Sequence, residues 1–312
     1  MNWYWIVLIV AGALLVFFLA AGYAFFLYVC NPKRDSSASL NGEGGRSLEA
    51  YIPLIQQKAL ERARFSHKAV SIRAFDGILL RANLYPNRYS DRFVILVHGY
   101  HSSAAWDFAS SFEMYYRAGY SILALENRGH GSEGRYIGYG ALDQKDVRSW
   151  MDWLVAGNGE AIRIALAGVS MGAATVMMAG SNYAIPQLKC VIEDCGYSNL
   201  VELVHYLVHN RKVPAFLLTA FASLWCKLLA GYFFSDAIPE RDLKKCSTPM
   251  LFIHGTADTL VPYRMHKRVY EACAAPKEIA IFEGSIHGES SFREPERYEK
   301  LAVGFLEKYM NG

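Results

Sequence analysis

The segment Ala165-Leu166-Ala167-Gly168-Val169-Ser170-Met171-Gly172-Ala173-Ala174 decides the fold of this 312-residue chain. It leads from an apolar run through Gly-x-Ser-x-Gly into small, helix-favouring residues, which predicts a strand, a sharp turn and a helix. Side chains at Gly168 and Gly172 would collide with the neighbouring strand and helix, and a serine on such a turn has a strained backbone. The pattern predicts that Ser170 is a nucleophile held above the end of a sheet. A glycine-serine turn without chemistry is the alternative.

The segments around this turn predict an α/β protein. Val70–Phe75 and Ile78–Tyr85 alternate in polarity about Asp76-Gly77, as in a β-hairpin with one solvated face. Mostly continuous apolar runs predict buried parallel strands at 93–97, 121–125, 162–166, 188–192, 250–253 and 278–282. Helical patterns cover 48–64, 104–117, 142–155, 262–274 and 296–310. This order predicts a doubly wound, mostly parallel sheet that begins with an antiparallel hairpin.

The N-terminal residues predict a membrane anchor. Trp3–Cys30 contains no charged side chain and exceeds the ~20 apolar residues that a spanning helix needs. A cleavable signal peptide is the alternative, but it would have a basic n-region and a shorter apolar run of ~7–15 residues. We therefore divide the chain into an anchor with its flank (1–34), a polar Gly/Ser-rich flexible tether (35–47) and a main domain (48–312).

Charge and cysteine content bear on location and partners. Lys33 and Arg34 follow the apolar segment and favour a cytoplasmic main domain. The five cysteines outside the anchor have no disulfide-framework spacing, as expected for reduced thiols. An extracytoplasmic domain is the open alternative. The formal net charge of +3, without a basic run, argues against a nucleic-acid partner.

The loops after the predicted strands supply candidate site residues, because ligands of such sheets bind beyond the carboxyl ends of the parallel strands. His98-Gly99-Tyr100-His101 follows the strand at 93–97, and Gly99 allows close approach of the backbone to a substrate. We expect the amide N–H groups of Tyr100 and Met171 to form an oxyanion hole. His98 and His101 could instead bind a metal, but no third ligand has evident spacing.

A second glycine-rich loop, Glu126-Asn127-Arg128-Gly129-His130-Gly131, follows the strand at 121–125. Together with His98, Gly99 and His101, His130 is a candidate substrate contact. We expect Arg128 and His130 to fix the loop by hydrogen bonds rather than touch substrate. Asp143, Asp146 and Asp152 in the next helix are expected to be solvated or capping carboxylates.

Two later loops complete a catalytic set. Asp258 follows the strand at 250–253 within His254-Gly255-Thr256-Ala257-Asp258, and His287 follows the last strand within Ser285-Ile286-His287-Gly288. The order Ser170, Asp258, His287 is the one expected for a nucleophile on this type of turn. Asp194, at the end of another strand, is the alternative acid.

These motifs together resemble the α/β-hydrolase superfamily over roughly residues 70–310. The sequence looks closest to its membrane-anchored Bem46-like branch and to serine aminopeptidase and monoacylglycerol lipase relatives. It departs from many relatives at Glu126-Asn127, where they have an aspartate before Arg-Gly-His-Gly.

The residue types predict a serine hydrolase that needs no metal or organic cofactor. His287 would act as base for Ser170, with Asp258 orienting the imidazole. Residues 195–248 contain two strongly apolar segments, Leu200–Val208 and Phe216–Phe233, which predict a helical cap over Ser170. Such a cap favours an ester, thioester or lipid substrate with an apolar acyl group. The alternative is that these apolar side chains pack on the core and leave little room for a substrate pocket. A peptidase of the same fold and a noncatalytic binding protein are the competing functions.

Overall fold

A computed structural model describes residues 2–33, 48–88, 90–208 and 214–311 of the chain. The predicted tether at 35–47 lies outside the described residues. The strands are β1 (Lys68–Arg73), β2 (Leu79–Tyr85), β3 (Arg92–Val97), β4 (Ser121–Glu126), β5 (Arg163–Val169), β6 (Leu188–Asp194), β7 (Met250–Gly255) and β8 (Lys277–Phe282).

The helices are α1 (Trp3–Cys30), α2 (Ile52–Arg62), α3 (Ala104–Asp107), α4 (Phe112–Arg117), α5 (Asp143–Asn158), α6 (Met171–Asn182), α7 (Leu200–Val208), α8 (Ala215–Ala230), α9 (Pro239–Leu243), α10 (Tyr263–Ala272), α11 (Ser290–Arg293) and α12 (Pro295–Met310). Short 3₁₀ turns lie at Glu49–Tyr51 and Phe234–Asp236. The helix predicted over 104–117 is thus divided into α3 and α4. At the end of α3 the Asp107 carboxylate accepts hydrogen bonds from Gly99 and Ser102 in the loop after β3, contacts that the local helical pattern does not predict.

The eight strands form one sheet in the order β1-β2-β4-β3-β5-β6-β7-β8. β1 pairs with β2 and β2 with β4 in antiparallel fashion, and the other pairs are parallel. This is the α/β-hydrolase fold that the sequence predicts. From β3 the chain goes first to β4 on one side and then to β5 on the other. That topological switch point is where open α/β sheets bind ligands.

Two apolar cores flank the sheet, which explains the continuous apolar runs. On β3, Phe93, Ile95 and Val97 face the core that includes α5 and α6, whereas Val94 and Leu96 face the core that includes α4 and α12. β1, at the edge, alternates between exposed and partly buried positions, as its sequence pattern predicts. Burial on both faces is what parallel strands of an α/β sheet require, and it places the carboxyl ends of the central strands between the two cores.

Among the described residues, α1 is the single unbroken helix long and apolar enough to cross a membrane. It has 28 residues, and its most apolar window has a mean hydropathy of 2.7 with 6% of that window buried. An N-terminal signal sequence would share these properties. The final turns of α1 differ from the rest, because Phe26, Val29 and Cys30 are buried in the core of the main domain. The anchor predicted as a separate segment therefore ends inside the domain.

Candidate active site

Ser170 lies at the junction of β5 and α6 in a strained backbone conformation, with φ +58° and ψ −117°. Its N–H donates to the main-chain carbonyl of Asp194 at 2.8 Å. A Cβ added to Gly172 would lie 1.9 Å from the carbonyl oxygen of Val97, and one added to Gly168 would lie 2.3 Å from the Gly172 carbonyl oxygen. Neither main-chain carbonyl can move away without distorting the sheet or helix. The turn therefore requires both glycines.

Ser170, Asp258 and His287 meet at the carboxyl edge of the sheet. His287 Nε2 lies 2.8 Å from Ser170 Oγ, and His287 Nδ1 lies 2.7 Å from Asp258 Oδ2. The three residues come from the loops after β5, β7 and β8. One imidazole thus bridges the hydroxyl and the carboxylate, which is the arrangement that activates a serine as nucleophile.

The electrostatics of this pair keep the acid ionised and the base ready to be protonated. Burial raises the pKa of Asp258, but the charge of His287 and hydrogen bonds from His254 and His287 outweigh it and hold that pKa well below its usual range. Burial lowers the pKa of His287, but attraction to Asp258 more than compensates and raises it above the ordinary histidine value. An imidazolium formed during a reaction is therefore stabilised.

Asp258 is fixed by contacts beyond His287. Its Oδ1 accepts hydrogen bonds from the amides of Leu260 and Val261 at 2.9 and 2.8 Å. The fully buried His254 places Nε2 2.9 Å from the Val261 carbonyl oxygen and 3.3 Å from Asp258 Oδ2. His254 therefore positions Asp258, a role that was not predicted from the sequence. The spacing of four residues between His254 and Asp258 was the one feature of the sequence that could have indicated it.

Asp194, the alternative acid, has other surroundings. Its Oδ1 lies 3.4 Å from Ser290 Oγ. Burial, reinforced by the neighbouring Glu193 carboxylate, raises the pKa of Asp194 to about 7. The structure brings Asp258, not Asp194, to His287 Nδ1.

The loop after β3 lies directly against the nucleophile. A Cβ added to Gly99 would be 3.2 Å from Ser170 Cβ. The Gly99 amide donates to Asp107 Oδ2 at 2.6 Å, and the Ser102 hydroxyl donates to Asp107 Oδ1 at 2.5 Å. Asp107 therefore closes this loop. Its position in a helical pattern gives no sign of a contact across the loop, so this role of Asp107 was not predictable from the sequence.

Tyr100 and His101 are tied to distant parts of the chain. The Tyr100 hydroxyl donates to the Val29 carbonyl oxygen of α1 at 2.8 Å, and the Tyr139 hydroxyl donates to the same oxygen at the same distance. The His101 amide donates to His130 Nε2 at 2.9 Å. The end of α1 thus supports the loop that carries the predicted oxyanion amide of Tyr100.

His98 and His130 have ring nitrogens occupied by main-chain groups. His98 Nδ1 lies 2.8 Å from the Gly99 carbonyl oxygen, and His98 Nε2 accepts from the Asn127 amide at 3.1 Å. His130 Nδ1 lies 3.2 Å from the Arg128 carbonyl oxygen. Burial lowers the pKa of His98 to about 4 and that of His130 to about 3, so both rings are neutral near pH 7. Both side chains hold loops together, which leaves them poorly placed for the substrate contact suggested by sequence.

Asn127, the departure from the relatives' aspartate, joins the two loops. Its side-chain amide donates to the His98 carbonyl oxygen at 2.8 Å. A neutral amide supplies this donor, whereas an ionised carboxylate would not.

Arg128 is buried and fixes its loop to α5 and to the β1–β2 turn. Its Nε and Nη2 lie 2.7 Å from the two carboxylate oxygens of Asp146, and its Nη1 lies 2.9 Å from Asp76 Oδ2. The expectation that Asp146 is solvated or capping is therefore wrong, because it is the buried partner of a bidentate ion pair. Asp143 accepts from the Gly140 amide just before α5, and the exposed Asp152 pairs with Arg148.

One group of potential metal ligands lies within the described part of the chain. Ligand atoms of Cys195, Asp258 and His287 all lie within 4.8 Å of one another, with Cys195 Sγ 4.0 Å from His287 Nε2. The same nitrogen and carboxylate oxygens already form the contacts to Ser170 and to backbone amides. We therefore assign these atoms to the serine site rather than to a metal.

The segment between β6 and β7 contains the two predicted helices, α7 and α8. The Tyr206 hydroxyl of α7 donates to the Thr259 carbonyl oxygen beside Asp258, at 3.1 Å. α8 packs along α1, where Phe18 and Phe221 stack with their ring centroids 5.9 Å apart. The insertion therefore connects the surroundings of the acid to the apolar N-terminal helix.

Comparisons with known proteins agree with this architecture. A model described as "Alpha/beta hydrolase family" matches residues 94–301. The YqkD protein of Bacillus subtilis (strain 168) is 27% identical over 191 residues, which span 61% of this chain and 63% of that protein's length.

Solved structures share the fold at low sequence identity. The esterase Pf2001 of Pyrococcus furiosus superposes with a TM-score of 0.65 and 24% identity over 80% of this chain and 95% of that one. A puromycin-hydrolyzing peptidase of Mycobacterium tuberculosis superposes with a TM-score of 0.62 and 18% identity over 79% of this chain and 39% of that one. These identities establish a common fold and leave the substrate to be inferred from this chain's own residues.

Proposed function

Because the chain belongs to the alpha/beta hydrolase family, we propose that it is a membrane-anchored serine hydrolase that cleaves a carboxylic ester or thioester. The observation that carries this proposal is the pair of contacts that link Ser170 Oγ, His287 and Asp258, at 2.8 and 2.7 Å. A structural serine has no need of a base on its hydroxyl that is itself held by a buried carboxylate.

In the first step, Ser170 Oγ attacks the carbonyl carbon of the substrate while its proton moves to His287 Nε2. Asp258 accepts the Nδ1–H and so keeps Nε2 free to take that proton. The charge that appears on the imidazole is stabilised by Asp258, in line with the raised pKa of His287.

The carbonyl oxygen becomes an oxyanion in this step. We assign its stabilisation to the amide N–H groups of Tyr100 and Met171. The close approach of Gly99 to Ser170 and the position of Met171 at the start of α6 support this assignment. Loss of one such donor costs roughly 3 kcal/mol in comparable sites.

The tetrahedral intermediate then collapses. His287 Nε2–H protonates the leaving alcohol or thiol as its bond to the acyl carbon breaks, which leaves the acyl group on Ser170. A water molecule attacks the acyl-enzyme, with His287 again as base, and releases the acid.

The membrane assignment rests on α1. Removal of α1 by a signal peptidase would take Phe26, Val29 and Cys30 out of the domain core and leave Tyr100 and Tyr139 without their shared acceptor. We therefore propose a retained anchor in the manner of the Bem46-like branch. Lys33 and Arg34 favour a main domain in the cytoplasm, and the buried free thiols of all six cysteines fit a reducing compartment. Protease protection in sealed vesicles tests this topology.

A fluorophosphonate probe tests the nucleophile. We expect covalent labelling of the full chain and its loss in Ser170→Ala. Ser181→Ala, at the other end of α6, is the matched control and should label normally, because the Ser181 hydroxyl contacts the Met177 carbonyl oxygen and Cys246 rather than the groups around Ser170. Labelling that survives in Ser170→Ala would contradict the proposal.

Substrate class is tested with a series of p-nitrophenyl acyl esters and with aminoacyl arylamides. We expect ester turnover to rise with acyl chain length, since each buried methylene contributes ~0.8 kcal/mol and the α7–α8 segment is apolar. Cleavage of arylamides but not esters would favour a peptidase instead, and no turnover together with no labelling would favour a noncatalytic protein.

A further inference from the structure

The outer face of α8 is apolar where a surface helix is normally polar. Phe216, Ala220, Leu224 and Leu228 recur at intervals of four and are exposed, with Phe216 and Leu228 both 64% exposed. The opposite face of the helix is buried. We call these four exposed residues the α8 stripe. Such a row of exposed apolar side chains marks a contact surface.

The α8 stripe is continuous with the apolar surface of α1. Trp225 Nε1 donates to the Leu19 carbonyl oxygen at 2.9 Å, and a Cβ on Gly22 would lie 2.4 Å from Phe221 Cβ. The absence of a side chain at Gly22 is what allows this close approach. The two helices therefore present one apolar surface.

The length of α1 determines how far α8 lies from a bilayer that α1 spans. Trp3–Phe17, every residue of which is exposed, contains 15 residues, or about 22 Å of helix at ~1.5 Å per residue. The hydrocarbon core is ~30 Å thick and needs ~20 residues. The span must then continue to about Gly22, which already contacts α8.

We propose that the α8 stripe lies in the bilayer surface beside α1 and that the site takes its ester from the lipid phase. This proposal rests on the serine hydrolase function and the anchor proposed above. α8 forms no straight second span, since its 16 residues are too few to cross a bilayer and the helical residues that follow, 234–243, come after a bend of 82°. Lys227, the one charged residue of α8, lies next to Leu228 near the end of the helix, where its amine can reach the headgroups.

We infer the substrate class from the contacts that link α1 to the loop beside the nucleophile. The Tyr100 hydroxyl contacts the Val29 carbonyl oxygen near the end of α1, and the adjacent Gly99 lies against Ser170. An ester held in the bilayer with its carbonyl at the headgroup level would therefore lie on the side of the domain where α1 supports the loop beside Ser170.

The test uses the full chain in phosphatidylcholine nanodiscs. An environment-sensitive fluorophore is attached to Phe216→Cys or Leu228→Cys, and lipids with a doxyl quencher on the acyl chain are added. Leu60→Cys is the matched control, because Leu60 is an apolar residue 72% exposed on α2, away from the stripe. The unsubstituted protein is the labelling blank, since its six cysteines are buried.

We expect blue-shifted emission and at least twofold stronger quenching at residues 216 and 228 than at residue 60. Equal, water-like emission at all three positions would overturn the proposal. Blue-shifted emission without lipid quenching, in particles that contain two copies, would also overturn it in favour of a dimer contact. Fluorophosphonate labelling of the same samples distinguishes this result from a failure of the proposed hydrolase function. If the hydrolase function is wrong, labelling is lost but quenching by the lipids is unchanged.

Discussion

Replacement of Asp258 by asparagine tests the proposed division of roles most directly. The change preserves the shape of the side chain and removes its charge. Asp258 Oδ1 accepts hydrogen bonds from the backbone amides of Leu260 and Val261. The oxygen of the asparagine should occupy the same position, because the opposite orientation would place its NH₂ group against these two N–H donors. The NH₂ group then faces His287 Nδ1 and forces that nitrogen to accept. The proton moves to Nε2, which can no longer take the proton of Ser170.

The magnitude follows from this tautomer change. The comparable substitution lowers kcat by about 10⁴ in a serine protease triad, which is about 5 kcal/mol of transition-state stabilisation. Loss of an ordinary neutral hydrogen bond would cost only ~1 kcal/mol, or about tenfold. We therefore expect Asp258→Asn to reduce ester hydrolysis by at least 10³.

The assay is kcat/KM for a p-nitrophenyl ester as a function of pH. Asp258 raises the pKa of His287, and activity is lost as the pH falls through that pKa because the base becomes protonated. The acidic limb should therefore move to lower pH in Asp258→Asn.

Asp194→Asn is the matched control for this experiment. Asp194 is a buried carboxyl whose pKa is already raised to about 7, and we expect a loss below tenfold. Circular dichroism and thermal melting verify that both variants are folded. A loss below 10² in folded Asp258→Asn, or an equal loss in both variants, would refute our assignment of the acid.

Three stability predictions follow from the packing, each measured by thermal denaturation in detergent. Gly172→Ala should destabilise the protein by about 3 kcal/mol or more, because the new Cβ would lie 1.9 Å from the main-chain carbonyl oxygen of Val97. Gly157→Ala in α5 is the control. A Cβ there would have no neighbour within 4 Å, so this change should be neutral or stabilising by up to ~1 kcal/mol. Gly22→Ala should cost ~1–3 kcal/mol of stability, because the new Cβ would lie 2.4 Å from Phe221 Cβ of α8. Gly12→Ala, where a Cβ would have no neighbour within 4 Å, is the control. An equal melting temperature for the two variants would contradict the packing of α1 against α8. Arg128→Ala should cost ~3–5 kcal/mol, because it leaves a buried carboxylate unpaired, and a cost under 1 kcal/mol would mean that this ion pair is not needed.

Local patterns were sufficient wherever a residue's role follows from its own segment. Gly168 and Gly172 indicated the turn because a side chain at either position is excluded by sterics within the strand-turn-helix unit. Patterns failed where a role depends on a distant partner. Asp146 has an ordinary position in an amphipathic helix, and only the fold brings Arg128 to it. His98 has the residue type of a ligand, and only the structure reveals that backbone groups occupy its ring.

The sequence by itself determined the α/β-hydrolase fold, the strained serine turn and the candidates Ser170, Asp258 and His287, because periodicity, glycine sterics and chain order are local properties. Tertiary structure alone decided which carboxylate reaches His287, since Asp194 ends β6 and Asp258 follows β7 at the same edge of the sheet. It also decided that α1 ends within the core against Tyr100 and α8, because helix packing depends on surfaces that meet across some 200 residues of chain.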